Sequence, residues 1–281
     1  MPIPAYMGGA TDTATIRPLA GGAPAKPQAA AGARPAGATG GAGLRVLKLL
    51  LALCLIPACV GITLGMYDHF TGLWTRLNFG MTGLGALFKW FATGVAAFSI
   101  FAILLWRPVV LYVFGHELVH ALATWMCMGK VSNLTASASG GQVTTSKSNT
   151  FIRLAPYCVP LYALLAAGLY FGLHAWWRPL SDQVHWLACA LGFFYSFHLG
   201  FTLWSLRRDQ PDLKPDGWLF SLVVIYFANL AVFALLIGFL SHGSPSGAWE
   251  TLKQSAIGGW QHSSQIYRNL FATIQDALNN R

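Results

Sequence analysis

The chain alternates between long apolar stretches and short polar connections. Six of the apolar stretches approach the roughly 20 residues that a helix needs to cross a bilayer. The predicted spans are 46–66, 84–106, 108–128, 160–176, 184–206 and 218–240. Because only helices and closed barrels satisfy their backbone hydrogen bonds in lipid, the pattern predicts an all-α, polytopic helical membrane protein with about six spans.

Composition and charge agree with this prediction. The 281 residues are 55% hydrophobic and only 10% charged, whereas soluble domains carry about a quarter charged residues. The net charge of +9 could suggest nucleic acid, but the basic residues stand at the ends of apolar runs, as charges that flank membrane spans do. We therefore expect a lipid bilayer around the chain and no nucleic-acid partner.

Three regions follow from the distribution of residue types. Positions 1–43 are rich in Ala, Gly and Pro, which predicts a disordered N-terminal tail. Positions 44–242 contain the spans and form the predicted membrane domain. In positions 243–281 the apolar residues fall on one helical face, which predicts an amphipathic helix in the membrane interface. These residues are Tyr267, Leu270, Phe271, Ile274 and Leu278.

The connection between the third and fourth spans has a composition of its own. In positions 130–146, small and β-branched residues flank the Gly140-Gly141 pair, which favours a small β-hairpin at the membrane surface over a flexible Ser/Gly loop. The two prolines in positions 155–160 predict a partly unwound backbone just before the fourth span.

The third span contains the run His116-Glu117-Leu118-Val119-His120. Three ionisable side chains are costly in hydrocarbon, so their presence there indicates function. On a helix, His116 and His120 lie one turn apart on the same face, where both imidazoles can bind one metal ion. Glu117 projects beside that face and could take a proton from activated water. A purely structural His–Glu–His cluster is the alternative.

Two histidines do not complete a tetrahedral zinc site, so a third protein ligand is expected. The chain has nine acidic residues, of which three lie together in the loop 207–217. Counting crossings puts this loop on the same membrane face as the end of the third span. The third ligand is therefore Asp212 or Asp216. Asp212 is preferred, because an aspartate at position 216, just before a span, is expected as a helix cap in any case.

The expected cofactor is one Zn²⁺ ion, because two imidazoles and a carboxylate with an open position suit this metal. The sequence leaves iron and manganese open. His120 lies eight residues before Met128, which is about 12 Å of helical rise. An aspartate from a loop that dips into the membrane can reach this depth.

These residues resemble the site-2 protease family of intramembrane zinc metallopeptidases. The resemblance rests on His-Glu-Leu-Val-His-Ala-Leu at 116–122, on Gly129-Lys130-Val131 at the start of the hairpin, and on Pro215-Asp216-Gly217 at the start of a later span. It implies that two histidines and a downstream aspartate bind zinc, that the glutamate activates water, and that a membrane protein or membrane peptide is the substrate. By local pattern, Asp216-Gly217 matches the second motif of the family.

Further residues are candidates for binding substrate or supporting a metal ligand. His198, in the fifth span, could do either, although a simple hydrogen bond to a neighbour is favoured. Asn149 and Asn133 could hold a substrate backbone, although turn chemistry is favoured. The hairpin around Gly140 and Gly141 could bind an unwound substrate by strand addition.

The sequence thus predicts a zinc-dependent intramembrane endopeptidase, in a bacterial-type cell (inner) membrane. A metal-binding membrane transporter or receptor without hydrolysis is the alternative. A third class, the prenyl-protein endopeptidases, has an HExxH helix and needs a glutamate in a later helix, which the later spans lack.

Overall fold

The computed structural model of the protein describes residues 42–76, 84–104, 108–176, 183–208 and 210–279. Within these ranges the chain forms eight α-helices and one β-hairpin, which confirms the predicted fold class. In chain order the elements are α1 (Ala42–Arg76), α2 (Leu84–Leu104), α3 (Val109–Met126), β1 (Val131–Ser137), β2 (Gly140–Thr145), α4 (Thr150–Cys158), α5 (Leu161–Trp176), α6 (Val184–Leu206), α7 (Trp218–His242) and α8 (Pro245–Asn279).

The protein is a multi-pass membrane protein. Five of the described helices, α1, α2, α3, α6 and α7, are long and apolar enough to cross a membrane. Helices α4 and α5 pass the same test together, as one bent pair with a 70° angle at the break. Of the predicted tail, positions 1–41 lie outside the described residues, and α1 begins at Ala42.

The backbone before the fourth span is partly unwound, as predicted, but the unwound part is shorter than positions 155–160. Ala155 to Cys158 are helical although Pro156 lies among them, and the break falls only at Val159 and Pro160. Asn149 caps the start of the helix, because its side chain accepts a hydrogen bond from the backbone N–H of Ile152 at 2.8 Å. Pro156 removes only one helical hydrogen bond, so α4 continues through it to Cys158.

The hairpin packs on α3, the helix that carries the His-Glu-His motif. Its antiparallel register pairs Leu134 with Val143 and Ser137 with Gly140, and shifts between Val131 and Leu134. Asn133 has a φ of 69° at this irregularity. Asparagine tolerates the left-handed conformation better than most residues, so Asn133 allows the bulge.

Helix α8 runs back along α1 and α7. Added Cβ atoms at Gly61 and Gly65 of α1 would meet Ser263 and Gly259 of α8 at 2.6 Å or less, so the two backbones touch. Gly61 faces Ser263 and Gly65 faces Gly259, so residue numbers increase along α1 where they decrease along α8. The two helices are therefore antiparallel. Small residues on α8 fit the glycines of a helix long enough to span a membrane, and the position of α8 in the membrane interface stays a prediction.

Candidate metal centre

The structure brings together two histidines of α3 and one aspartate of the α6–α7 loop. The Nε2 atoms of His116 and His120 lie 3.5 Å and 3.4 Å from Oδ2 of Asp212. One ligand atom from each of the three residues lies within 4.8 Å of the others. Both imidazoles are largely shielded from solvent, with 10% of each side chain exposed.

These distances fit a tetrahedral metal ion. Zinc lies about 2.0–2.1 Å from histidine nitrogens and carboxylate oxygens, so two ligand atoms on a tetrahedron are about 3.3–3.4 Å apart. The measured separations of 3.4 Å and 3.5 Å between the imidazoles and Asp212 come within about 0.2 Å of this value. The two separations to Asp212 suit one shared ion, and three protein ligands leave a fourth position for a non-protein ligand.

The second nitrogen of each imidazole has a partner, and for His120 this partner favours metal binding through Nε2. Nδ1 of His120 lies 2.8 Å from the carbonyl oxygen of Ile152 in α4. Because a carbonyl only accepts, Nδ1 carries the hydrogen and Nε2 keeps its lone pair. Nδ1 of His116 lies 3.4 Å from the hydroxyl of Tyr112, which can donate or accept and so leaves either nitrogen of this imidazole free to carry the hydrogen.

Pro156 makes the Ile152 carbonyl available. In an uninterrupted helix the N–H of residue 156 would donate to the carbonyl of residue 152. Proline has no N–H, and His120 takes this acceptor instead. We did not predict this role from the sequence, although the four-residue spacing between Ile152 and Pro156 is a usable signal once α4 is known to be helical.

Two buried residues hold the loop that carries Asp212. Leu213 is fully buried against Leu154 and Tyr157 of α4. The hydroxyl of Tyr157 donates to Oδ2 of Asp212 at 3.2 Å. Burial alone would raise the pKa of Asp212, but the neighbouring imidazoles of His116 and His120 outweigh it and lower that pKa. Asp212 is therefore a carboxylate, the form that binds metals.

Asp216, the alternative third ligand, lies outside this group and has other partners. Its side chain is fully buried, and Arg153 donates to both carboxylate oxygens at 2.8 Å. Thr150 donates at 2.7 Å, and Lys48 of α1 forms an ion pair with the same carboxylate. Burial would raise the pKa of Asp216, but the hydrogen bonds from these three residues lower it.

The capping role expected for Asp216 was wrong. The residue before α7 in the N-cap position is Gly217, with a φ of 89° that favours glycine and no side-chain cap. The turn at Gly217 directs the preceding Asp216 away from α7, towards α1 and α4. Asp216 therefore connects α1 and α4 to the loop that also carries Asp212.

Glu117 lies against the hairpin. A Cβ added to Gly141 would come within 2.7 Å of Cγ of Glu117 and 2.5 Å of a methyl carbon of Val113. Only glycine allows β2 to approach α3 this closely. Gly140 is different: it has a φ of 144° at the turn and nothing within 4 Å of an added Cβ. Of the two predicted glycines, Gly141 contacts the site and Gly140 shapes the turn.

The remaining predicted residues have ordinary structural partners. Nε2 of His198 lies 3.2 Å from the amide oxygen of Asn229 in α7, and that asparagine also donates to the backbone of Tyr157 at 2.9 Å. This is the hydrogen bond to a neighbour that the sequence favoured. Asn149 caps α4. His198 also borders a small cavity beside His116, with a volume of about 20 Å³.

Comparison with protein-family models, curated proteins and solved structures finds no match to this chain. The apolar helices define the class as a multi-pass helical membrane protein.

Proposed function

We propose that the protein is a zinc-dependent intramembrane endopeptidase, which hydrolyses peptide bonds of membrane-embedded substrates. The observation that carries this proposal is the convergence of His116, His120 and Asp212 beside Glu117, inside a helix of membrane-spanning length. Two imidazoles, a carboxylate and an adjacent glutamate are the residues that hydrolytic zinc sites use.

The zinc ion and the protein side chains would have separate roles in the reaction. A zinc ion held by the three ligands would act as a Lewis acid, polarising the peptide carbonyl and lowering the pKa of water. The Glu117 carboxylate accepts a proton from the attacking water and delivers it to the nitrogen of the leaving amine. The Ile152 carbonyl and the Tyr157 hydroxyl keep His120 and Asp212 in position during these transfers.

The substrate must be extended where it is cut, because helical hydrogen bonds shield the carbonyls of a transmembrane segment. The hairpin offers a place for this, since β2 packs directly on the Glu117 face of α3. A substrate strand added to the hairpin would pass beside Glu117. The cavity of about 20 Å³ next to His116 has room for one water molecule and not for a peptide. This cavity is lined by α3, α4, α5 and α6, so a peptide that enters it must separate these helices.

The resemblance of the His-Glu-Leu-Val-His run and of the Pro-Asp-Gly element to the site-2 protease family supports the same proposal. In that family the aspartate of the second motif would be Asp216, whereas here the ligand we propose is Asp212, one turn of chain earlier. The proposed location in a bacterial-type cell (inner) membrane rests on this resemblance alone.

Metal analysis of the purified, full-length protein tests the proposal. We expect one zinc per chain in the wild type and in Asp216→Ala, and a loss of at least tenfold in affinity for His116→Ala and Asp212→Ala. Cleavage of a reconstituted transmembrane substrate library should disappear in Glu117→Gln while the zinc remains. Zinc-loaded protein in which Glu117→Gln retains full function would instead favour the non-hydrolytic transporter or receptor. A wild-type protein that binds no metal would contradict both the endopeptidase and the metal-binding transporter or receptor.

A further inference from the structure

An asparagine lies in the middle of α7, a helix that is long and apolar enough to cross a membrane. Among the 25 residues of α7, Asn229 carries the one side-chain amide. An amide at this depth costs free energy unless its hydrogen bonds are made within the protein, so its presence indicates a role. Both the nitrogen and the oxygen of the Asn229 side chain have partners in the structure.

The hydrogen bonds of Asn229 fix the orientation of its amide. Nδ2 donates to the carbonyl of Ile225 in its own helix at 2.8 Å and to the carbonyl of Tyr157 in α4 at 2.9 Å. Because both partners only accept, the nitrogen must face them, and Oδ1 faces Nε2 of His198 in α6 at 3.2 Å. One side chain of α7 is therefore hydrogen-bonded to both α4 and α6.

The carbonyl of Tyr157 needs a donor because α4 ends beside it. In a continuous helix this carbonyl would accept from the N–H of residue 161. That N–H instead donates at 2.9 Å to the carbonyl of Val159, within the break between α4 and α5. A carbonyl at a helix end must find another partner. Asn229 supplies the donor, and the imidazole of His198 contacts the same carbonyl.

Tyr157 connects this hydrogen bond to the candidate metal centre. The residue is fully buried, and its hydroxyl donates to Oδ2 of Asp212 at 3.2 Å. The backbone of Tyr157 is thus held by α7, while its hydroxyl meets the proposed third metal ligand. Helix ends fray readily, so loss of the bond from Asn229 would loosen the last turn of α4 and the hydroxyl that it places.

We propose that Asn229 is a positioning residue of the metal centre, which acts through the hydroxyl of Tyr157 on Asp212. This inference rests on the proposed function, because it requires a metal ion held by the two histidines and Asp212. Asn229 acts on the end of α4 and not on the ion. With this end held, the Tyr157 hydroxyl keeps the carboxylate in the orientation that metal binding needs.

A double-mutant cycle on the full-length protein in detergent tests this role. We expect Asn229→Leu to lower zinc affinity about tenfold in competition with a chelator, as the loss of partners of metal ligands does. In a Tyr157→Phe background the same substitution should change the affinity less than about twofold, because the hydroxyl through which it acts is gone. Asn269→Leu makes the same chemical change in α8 and should retain wild-type affinity. Unchanged affinity in Asn229→Leu, or losses that add in the double variant, would overturn the proposal.

The visible absorption of Co²⁺ bound in place of zinc separates positioning of a ligand from general support of the fold. The spectrum depends on the geometry of the ligands. In cobalt-saturated protein, Asn229→Leu and Tyr157→Phe should therefore alter the spectrum in the same way, and Asn269→Leu should not alter it. A lower Tm for Asn229→Leu with a wild-type spectrum would show that this residue only stabilises the fold, which contradicts the proposal.

Asn229→Ser provides the same test if the leucine variant does not fold. A serine hydroxyl in a helix bonds back to the carbonyl four residues earlier, as Ser241 does in α7 at 2.6 Å, and it is too short to reach Tyr157. Its zinc affinity should fall as for Asn229→Leu. A wild-type protein that binds no zinc would overturn the proposed function and this inference together. Zinc binding by the wild type with additive losses in the cycle would overturn this inference alone.

Discussion

His120 of α3 donates from Nδ1 to the carbonyl oxygen of Ile152 in α4, at a distance of 2.8 Å. This bond joins the helix with the histidine pair to the helix that contacts the Asp212 loop. It exists because Pro156 leaves the Ile152 carbonyl without its helical partner. A proline that weakens α4 locally therefore orients an imidazole in the neighbouring helix.

Pro156→Ala tests this relationship. The new N–H at position 156 can donate to the Ile152 carbonyl, so it competes with His120 and loosens the imidazole. We expect zinc affinity to fall about tenfold, as it does when partners of metal ligands are lost. Pro57→Ala, in the middle of α1, is the matched control and should retain wild-type affinity in the same metal titration. Equal affinities for all three proteins would contradict the role of Pro156.

Tyr157→Phe removes only the hydroxyl that donates to Oδ2 of Asp212 at 3.2 Å. The carboxylate loses an orienting partner, and zinc affinity should fall by about tenfold. Tyr226→Phe removes a hydroxyl that bonds to Thr63 at 2.6 Å on the α1–α7 side, so its affinity should not change. Competition with a zinc chelator measures the zinc affinity of both variants. A Tyr157→Phe protein that competes as well as the wild type would show that this hydroxyl does not position Asp212.

Asp216→Asn should destabilise the protein without removing a metal ligand. The substitution leaves Lys48 and Arg153 without their buried carboxylate. Breaking such a pair costs about 3 kcal/mol, and thermal unfolding in detergent should show a lower Tm. Lys253→Gln, which breaks the half-exposed pair with Glu250, serves as the control with little expected change. A Tm for Asp216→Asn equal to that of the wild type would mean that this cluster does not stabilise the fold.

The stability difference at Asp216 should depend on pH in one direction. Folding lowers the pKa of this carboxyl, so its contribution is fully present above the unfolded pKa of about 3.9. It is lost as the pH falls from there towards the folded value. The Tm difference between the wild type and Asp216→Asn should therefore be constant from pH 7 to about pH 5 and shrink below pH 4. A difference that grows in acid would contradict the assignment.

Gly141→Ala places a methyl group within 2.7 Å of both Val113 and Glu117. Either the hairpin must move away from α3 or the side chain of Glu117 must turn aside, while the three proposed metal ligands are untouched. We expect proteolysis to fall at least tenfold, because a displacement of about 1 Å in a catalytic group can cost a hundredfold. Zinc content should stay the same. Gly168→Ala in α5, where an added Cβ meets nothing within 4 Å, should be as active as the wild type.

Gly65→Ala tests the packing of α8 on α1. Its Cβ would lie 2.6 Å from the backbone nitrogen of Gly259, so the two helices must separate. We expect a loss of about 1–3 kcal/mol, as for overpacked cores, seen as a lower Tm in detergent. Gly172→Ala, which has open space around its added Cβ, should not lower the Tm. A Gly65→Ala protein as stable as the wild type would show that α8 does not need this contact.

Much of the fold could be predicted because lipid imposes strict rules on sequence. The predicted spans at 184–206 and 218–240 agree with α6 and α7 to within two residues. The hairpin could be predicted because the Gly140-Gly141 pair lies between small and β-branched residues. Helix α4 could not be predicted in this way, since two nearby prolines argue against a helix and only tertiary contacts outweigh them.

The residues of the candidate site could likewise be predicted only in part. His116, Glu117 and His120 follow from five consecutive residues, because helical periodicity alone fixes which side chains share a face. The choice between Asp212 and Asp216 depends on long-range contacts. Both aspartates precede the same span. The partly buried Lys48 of α1 and Arg153 of α4 pair with Asp216, whereas Asp212 faces the imidazoles.

By itself, the sequence determined that this chain crosses a membrane several times and carries an imidazole pair with a glutamate within it. Those features depend on hydrophobicity and on local periodicity, which are properties of neighbouring residues. The tertiary structure alone decided which carboxylate meets the histidines, which carbonyl orients His120, and where α8 lies. Each of these depends on residues far apart in the chain that meet only when the helices pack.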